Sequence, residues 1–195
     1  MAAIEMIHTS SLVHDDLPCM DDDMIRRGKA STWAEYGEDI GVLAGDALMM
    51  YAFETASKAF DAAEDADALL RAGKAMGILA AKTGVYGMIG GQTVDVELAG
   101  GPVPKDKLDF IYRLKTGALL QAAMLIGAVL GGAADEDCKI VEDLAGKVGL
   151  AFQIQDDILD VTGDASVTGK AAGSDEKNQK TTYVTLEGFQ RPGKR

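Results

Sequence analysis

Along most of the chain, apolar residues recur every three or four positions, which is the spacing of one face of an α-helix. Alternating runs rich in β-branched residues, typical of strands, are nearly absent, and the 195 residues include four prolines. The pattern therefore predicts an all-α fold. The predicted helices run from residue 2 to about 16, where Pro18 interrupts, and over about 38–61, 66–89, 105–130 and 135–161.

The chain has one clear internal break and two abrupt ends. Residues 100–104, rich in glycine and proline, separate two predicted helices, and from Thr162 onward the sequence turns polar. Residue 2 already lies inside a helical pattern, and residues 187–195 lack the features of a structural ending. We therefore expect residues 1–195 to form a single incomplete domain from which N-terminal and C-terminal helices are absent.

Composition narrows the classes of partner. A net charge of −12 and a pI near 4.5 argue against nucleic acid and against an anionic membrane surface. The most apolar stretch, residues 117–132, contains Gln121 and is too short for a membrane span, which indicates a buried helix. Cys19 and Cys138 form no CxxC pair and no secretory leader is visible, so we expect a cytoplasmic location.

Two acidic clusters carry the candidate chemistry. The first occupies residues 14–23 (HDDLPCMDDD) and the second residues 153–160 (QIQDDILD), and both lie within apolar segments. Carboxylates repel one another and are costly to bury unless a cation compensates them. Hard divalent cations such as Mg²⁺ suit all-oxygen sites. A solvated acidic surface or a helix cap would explain either cluster alone, but two of them favour metal binding.

Helical spacing groups these side chains. Asp15 and Asp16 end the first helix, and the loop that follows allows Asp21 to fold back toward them. Two acidic faces opposed across a bundle would hold several Mg²⁺ ions and clamp a diphosphate leaving group between them. In the second cluster, four polar side chains are expected on one face of a helix: Gln153, Asp156, Asp157 and Asp160.

Basic residues lie where a phosphate would be bound. Arg26 and Arg27 follow the first cluster, and Lys115 interrupts an apolar helix. Guanidinium groups bind phosphate oxygens in a bidentate fork, whereas lysine acts as a point charge. Charge balance with neighbouring aspartates is the alternative explanation for the two arginines. A surface lysine with a buried stem is the alternative for Lys115.

Further polar residues share faces with these groups. His8 lies seven residues before Asp15 and hence on the same face of the first helix, although a lone histidine there is more often a core residue. His14 adjoins the aspartates and is a candidate partner for them. Gln92 and Asp95 are spaced i and i+3, and we expect their shared face to reach the metal cavity.

Together, these motifs resemble those of the trans-isoprenyl diphosphate synthases of the farnesyl and geranylgeranyl diphosphate synthase type. The likeness rests on DDxxxxD followed by RRGKAS, on FQIQDDILD, on GDAL, GQTVD and KTG segments, and on GSDEK before KTTY. It covers the chain to about Leu186. The resemblance implies an antiparallel helical bundle of the isoprenoid synthase type around a central cavity, usually as a homodimer.

The implied reaction is a prenyl transfer assisted by Mg²⁺. An allylic diphosphate ionises, the double bond of isopentenyl diphosphate attacks the carbocation, and a proton is lost. The resemblance assigns metal binding to Asp15, Asp16, Asp21, Asp156 and Asp160, and a catalytic part to Asp15, Asp16, Asp156 and Lys115. It assigns allylic contacts to Arg26, Lys115, Thr116, Gln153, Lys170 and Lys180, and isopentenyl diphosphate contacts to Arg27 and His8.

The resemblance also links product length to side chains one helical turn before the first Asp pair. Those positions are Ser10 and Ser11. Relatives that stop at farnesyl often have an aromatic residue at the farther position. Because Ser10 is small, the cavity floor is expected to lie deeper, so that a geranylgeranyl product fits and Met6, a further turn away, limits its length.

The chain departs from the family pattern in several places. No Gly-Lys-Arg motif for isopentenyl diphosphate precedes the first cluster, Ala30 stands where proline is common, and Gln179 stands where glycine is usual. Three functions therefore stay open: a chain-elongating prenyltransferase, a truncated or non-catalytic subunit of a prenyl synthase, and a terpene cyclase. The second motif, together with the three basic residues Lys115, Arg26 and Arg27, favours elongation.

Overall fold

The structure, a computed structural model, describes residues 1–162 and 181–188. In these ranges the chain is predominantly helical, which confirms the predicted all-α class. The helices are α1 (Ala2–Asp15), α2 (Thr32–Tyr36), α3 (Glu38–Asp61), α4 (Ala66–Thr83), α5 (Met88–Glu97), α6 (Lys105–Ile111), α7 (Gly117–Leu130), α8 (Asp135–Thr162) and α9 (Tyr183–Glu187). A π-helical segment, Tyr112–Thr116, joins α6 to α7, and a hairpin consists of β1 (Ile25–Arg26) and β2 (Lys29–Ala30).

Three predicted helices match the structure closely. α3 has the predicted limits, α1 ends at Asp15, and α8 ends at Thr162. α8 begins with three acidic residues in its first turn, which interact favourably with the positive end of the helix dipole. α4 begins after Asp65, whose side chain accepts a hydrogen bond from the backbone N–H of Ala68 at 2.6 Å.

The single helix predicted over residues 66–89 is wrong, because two helices replace it. α4 ends at Thr83, and the chain reverses through residues 84–87 before α5 begins. A Cβ on Gly87 would overlap the carbonyl oxygen of Lys82, so the reversal requires glycine at this position. The exposed residues Val85 and Tyr86 continue the apolar pattern across the turn, and for that reason the pattern concealed it.

The helix predicted over residues 105–130 is interrupted rather than regular. The π segment, residues Tyr112–Thr116, has a wider turn than an α-helix and so accommodates an extra residue. Such segments are rare and frequently lie at functional sites. Lys115 and Thr116, both assigned to substrate binding on the basis of resemblance, lie within it.

Residues 25–30 form a short hairpin. Arg26 pairs with Lys29 across it. The two turn residues, Arg27 and Gly28, have φ angles of 53° and 76°, and positive φ at both central positions matches the twist of a two-residue hairpin. This turn directs Arg26 back to the end of α1 and leaves Arg27 exposed at the tip.

Small residues allow the helices to approach closely. α1 packs on α3, and α7 packs against both α4 and α8. A Cβ on Gly149 of α8 would lie 2.8 Å from the Cα of Gly117, so these two backbones are in direct contact. Apolar side chains fill a core cluster that joins α1, α3, α4 and α5, and their burial favours folding. The buried members of this cluster are Ile7, Ala52, Leu79 and Met88.

The stretch Lys105–Leu130 is long and apolar enough, by length and composition, to cross a membrane. This is weak support for a span, because core helices of globular proteins meet the same criterion. Within the stretch, α7 buries one face against its neighbours, as predicted for a buried helix. The residues of that face are Gly117, Ala118, Ala122, Leu125 and Val129.

Gly45→Ala is expected to destabilise the bundle by about 1–2 kcal/mol. A Cβ there would overlap the imidazole of His14, whose Nε2 donates to the carbonyl oxygen of Val42 at 3.1 Å. Urea denaturation measures the change. The control is Gly73→Ala, because no atom lies within 4 Å of a Cβ on Gly73, and alanine there is expected to stabilise α4 by up to ~1 kcal/mol. Equal effects of the two substitutions would contradict the clash.

Candidate active site

The chain after α1 folds into a tight turn that gathers the first acidic cluster. The backbone N–H of Leu17 donates to the carbonyl oxygen of His14, and that of Asp21 donates to the carbonyl oxygen of Asp15 at 2.9 Å. Asp22 has a positive φ of 53°, which helps to reverse the chain. The predicted return of Asp21 to the end of α1 is therefore confirmed.

Asp16 is buried, with 2% of its surface exposed, and is paired with a cation of the protein itself. Arg26 donates to its carboxylate from Nε at 2.9 Å and also from Nη2. This hydrogen bond raises the pKa of Arg26 above its ordinary value despite partial burial, and the charges of Asp23 and Asp15 add to the effect. Asp16 thus anchors the hairpin to α1, and its assignment as a metal ligand stays a prediction.

Helix α5 joins the first acidic cluster to the π segment. Nε2 of Gln92 donates to Oδ1 of Asp15 at 2.5 Å, and one turn later Asp95 accepts a hydrogen bond from Nζ of Lys115 at 2.6 Å. A Cβ on Gly91 would overlap the backbone nitrogen of Lys115, so glycine allows α5 to touch the π segment. Gln92 and Asp95 therefore share a face, as predicted, and that face contacts both candidate groups.

The second acidic cluster approaches the π segment from the other side. Oγ1 of Thr116 donates to Oε1 of Gln153 at 2.6 Å. Asp156 is exposed and Asp160 is half-buried, whereas Asp157 is buried. Asp157, predicted to share a face with the other two aspartates, is the one that turns toward the core. Successive residues of a helix point about 100° apart, which separates Asp157 from Asp156.

The remaining predicted site residues lie on α1, at the tip of the hairpin, or outside the described residues. His8 is half-buried on α1, and Arg27 is exposed at the tip of the hairpin. Ser10 is fully buried and Ser11 half-buried, and each hydroxyl donates to a backbone carbonyl three residues earlier. Met6 packs against the core cluster, and Thr55 donates to its sulfur. Two predicted ligands lie outside the described residues: Lys170 and Lys180.

The donor chemistry of the first cluster fits Mg²⁺. Within the described ranges, no three His, Cys, Asp or Glu side chains converge at metal-binding distance. Asp15 nevertheless lies beside Gln92, whose Oε1 is buried and accepts no hydrogen bond from the described part of the chain. Mg²⁺ prefers oxygen ligands and retains several waters, so one or two carboxylates for each ion are sufficient.

Two tyrosines that contact the second acidic cluster were not predicted from the sequence. The hydroxyl of Tyr112 donates to the carboxylate of Asp157, and so does the backbone N–H of Tyr183. The sequence contains one indication of a role for Tyr112, which is that it lies three residues before Lys115. That indication was weak, since a tyrosine in an apolar helix has the same pattern as a core residue.

The sequence profile of the polyprenyl synthetases matches residues 1–195. The chain belongs to the polyprenyl synthetase family. It is 44% identical over 192 residues to the heterodimeric geranylgeranyl pyrophosphate synthase large subunit 1 of Arabidopsis thaliana. The aligned region covers 97% of this chain and 51% of that protein. It is 43% identical over 196 residues to the farnesyl diphosphate synthase of Escherichia coli, and this alignment covers 100% of this chain and 64% of that protein.

Solved structures of polyprenyl synthetase relatives share the fold. The geranyltransferase of Helicobacter pylori, complexed with magnesium and isoprenyl diphosphate, has a TM-score of 0.83 and 38% identity, covering 94% of this chain and 58% of that one. The polyprenyl synthetase of Streptomyces coelicolor has a TM-score of 0.81 and 34% identity, covering 94% and 51%. The predicted isoprenoid synthase fold is confirmed. The chain spans 51% to 64% of the length of the two curated relatives.

Proposed function

We propose that this chain condenses isopentenyl diphosphate with an allylic diphosphate to give a longer trans-prenyl diphosphate, geranylgeranyl or farnesyl diphosphate. The observation that carries the proposal is the pair of contacts made by α5, from Gln92 to Asp15 and from Asp95 to Lys115. Through these contacts one face of α5 touches both a carboxylate suited to a metal and a cation suited to a diphosphate. The similarity to farnesyl and geranylgeranyl synthases supports the same reaction.

Charge placement would provide the catalysis. Bound Mg²⁺ supplies positive charge that stabilises the departing diphosphate. Lys115 adds a cation whose position is fixed by Asp95, and Arg26 is held beside the first cluster by Asp16. Thr116 is held beside Lys115 by its bond to Gln153 and contributes to the allylic site. The proposed Mg²⁺ ligands are Asp15 and Asp21 from the first cluster and Asp156 and Asp160 from the second.

Isopentenyl diphosphate would be bound on the side of α1 and the hairpin tip. His8 and Arg27 are proposed as its contacts, because both are accessible to solvent and lie near the first cluster in sequence. Lys170 and Lys180 are proposed as further cations for the allylic diphosphate. Each of these four residues is replaced by alanine, and KM is measured for both substrates. A rise in KM for isopentenyl diphosphate supports the first assignment, and a rise in KM for the allylic diphosphate supports the second.

One incubation distinguishes the proposed reaction from its alternatives. The chain is mixed with farnesyl diphosphate, radiolabelled isopentenyl diphosphate and Mg²⁺, and the products are separated by chromatography. A labelled prenyl diphosphate longer than farnesyl supports elongation. An unlabelled hydrocarbon indicates a terpene cyclase, and no turnover of either substrate indicates a non-catalytic subunit.

Ser10→Tyr is expected to shorten the product by about one isoprene unit. Ser10 is fully buried on α1, so an aromatic ring there would occupy space at the proposed cavity floor. Mass spectrometry of the products measures the change. The control is Ser57→Tyr, because Ser57 makes the same bond to a carbonyl three residues earlier but is exposed. Unchanged product length in a folded Ser10→Tyr variant would refute the assignment.

We also propose a homodimer in the cytoplasm. α3 carries exposed apolar residues on one side, a face suited to a second copy of the chain. These residues are Ile40, Leu43, Met50 and Tyr51. Cys19 and Cys138 are free thiols, which suit a reducing compartment. Sedimentation velocity measures the oligomer, and fractionation of cells measures the location.

A further inference from the structure

Asp157 differs from the other carboxylates of the second cluster in burial and in partners. Its surface is 6% exposed. The hydroxyl of Tyr112 lies 2.9 Å and 2.8 Å from its two oxygens, and the backbone N–H of Tyr183 donates to Oδ2 at 3.0 Å. Buried carboxylates require such donors, because an unsatisfied charge away from water is costly. The protein itself therefore provides the environment that this carboxylate needs.

These contacts join three elements at one point, the Tyr112–Asp157–Tyr183 junction. Tyr112 belongs to the π segment, Asp157 to α8, and Tyr183 opens α9. The two tyrosine rings pack with their centroids 5.4 Å apart and tilted by 56°. They adjoin the buried side chains Leu108 and Ile111, which form a separate apolar cluster with Tyr112. The junction is thus an apolar contact organised around one carboxylate.

The junction and Gln153 together hold both ends of the π segment. Gln153 and Asp157 are spaced i and i+4 on α8, so they lie on one side of that helix. Gln153 accepts a hydrogen bond from Thr116, the last residue of the π segment, and Asp157 accepts one from Tyr112, the first residue. Lys115 lies between these two attachments, and its amine reaches Asp95 on the far side.

We propose that Asp157 is a positioning residue rather than a metal ligand. Its carboxylate fixes the first turn of the π segment against α8 and thereby holds Lys115 where it meets the diphosphate. The kinetic part of this inference rests on the proposed prenyl transfer, whereas its structural part, the attachment of the π segment, does not. The second acidic cluster then divides its aspartates between two tasks: Asp156 and Asp160 face the metal, and Asp157 faces the protein.

The test compares Asp157→Asn, Tyr112→Phe, the double variant and Asp156→Asn. Amide hydrogen exchange of residues 112–117 is measured without Mg²⁺ or substrate, and kcat, KM and the Mg²⁺ concentration for half-maximal rate are measured for each. We expect Asp157→Asn and Tyr112→Phe each to speed exchange about tenfold and to lower kcat/KM about tenfold. The double variant should be no worse than either single one. Their Mg²⁺ requirement should stay within about twofold of the unmodified chain, whereas that of Asp156→Asn should rise about tenfold.

Tyr86→Phe serves as the control, because Tyr86 is 89% exposed, and no change is expected. A tenfold rise in the Mg²⁺ requirement of Asp157→Asn, with Tyr112→Phe unchanged, would overturn the inference in favour of metal ligation. Unaltered exchange in both variants would also overturn it. If the unmodified chain does not turn over substrate, the proposed function fails, but the exchange measurement still decides whether the junction holds the π segment.

Discussion

We expect the substitution Asp16→Asn to lower the free energy of unfolding by about 3 kcal/mol and to lower turnover at least ~100-fold. The side chains of Asp16 and Arg26 are 3% and 20% exposed, so the pair lies largely out of water. Asparagine removes the nearer counter-charge of Arg26 and leaves only Asp23, which lies 3.6 Å away and is more exposed. The attachment of the hairpin to α1 is therefore weakened. Urea denaturation and steady-state kinetics measure the two effects.

Asp135→Asn is the matched control for this substitution. Its carboxylate accepts a hydrogen bond from Lys74 at 3.1 Å, but the two side chains are 84% and 60% exposed. Ion pairs in water contribute little, so the free energy of unfolding is expected to change by less than ~1 kcal/mol. If Asp16→Asn behaved like this control in both stability and turnover, the anchoring of the hairpin through Asp16 would be refuted.

We expect the substitution Lys115→Met to lower kcat/KM about 100-fold, which corresponds to about 2.7 kcal/mol of lost transition-state stabilisation. The stem of the side chain is retained, so packing of the π segment changes little, but the cation proposed for the diphosphate is lost. Asp95 would also lose its partner. The loss should appear mainly in kcat, because a developing negative charge gains more from the cation than the bound substrate does.

Lys147→Met is the control for the lysine substitution. Lys147 also lies 2.6 Å from a carboxylate, that of Asp143, but these side chains are 72% and 69% exposed on α8. Its kinetics should match those of the unmodified chain. Equal kcat/KM for Lys115→Met and Lys147→Met would contradict a catalytic part for Lys115. Thermal denaturation of both variants excludes unfolding as the cause of a loss.

Periodicity predicted the helices well where packing is regular and failed where backbone geometry changes. α3 and α8 are long, and their apolar faces follow one period from end to end, so their limits were predictable. The reversal before α5 depends on the absence of a side chain at Gly87, which periodicity does not measure. The π segment is bonded to α8 through Tyr112 and Thr116, and such contacts exist only after the helices have packed.

At the candidate site, the sequence predicted the residue types but not the orientations of their side chains. Motifs identified the acidic clusters and the cations, but they did not distinguish between adjacent aspartates. In each cluster the second aspartate of the pair is the buried one: Asp16 binds Arg26, and Asp157 binds Tyr112. Neighbouring positions on a helix point about 100° apart, so a pair of aspartates sends one side chain inward. Which one turns inward is decided by the donors that distant segments bring to it.

The extra residue of the π segment also sets the rotational phase between α6 and α7. α6 buries Leu108 and Ile111, and α7 buries a face that begins at Gly117 and ends at Val129. Deletion of one residue between them would restore a regular α-helix and turn one buried face about 100° away from the core. The packing of both α6 and α7 therefore requires the present number of residues between them. Insertions and deletions that leave the bundle intact are expected outside residues 105–130, in the connections between helices.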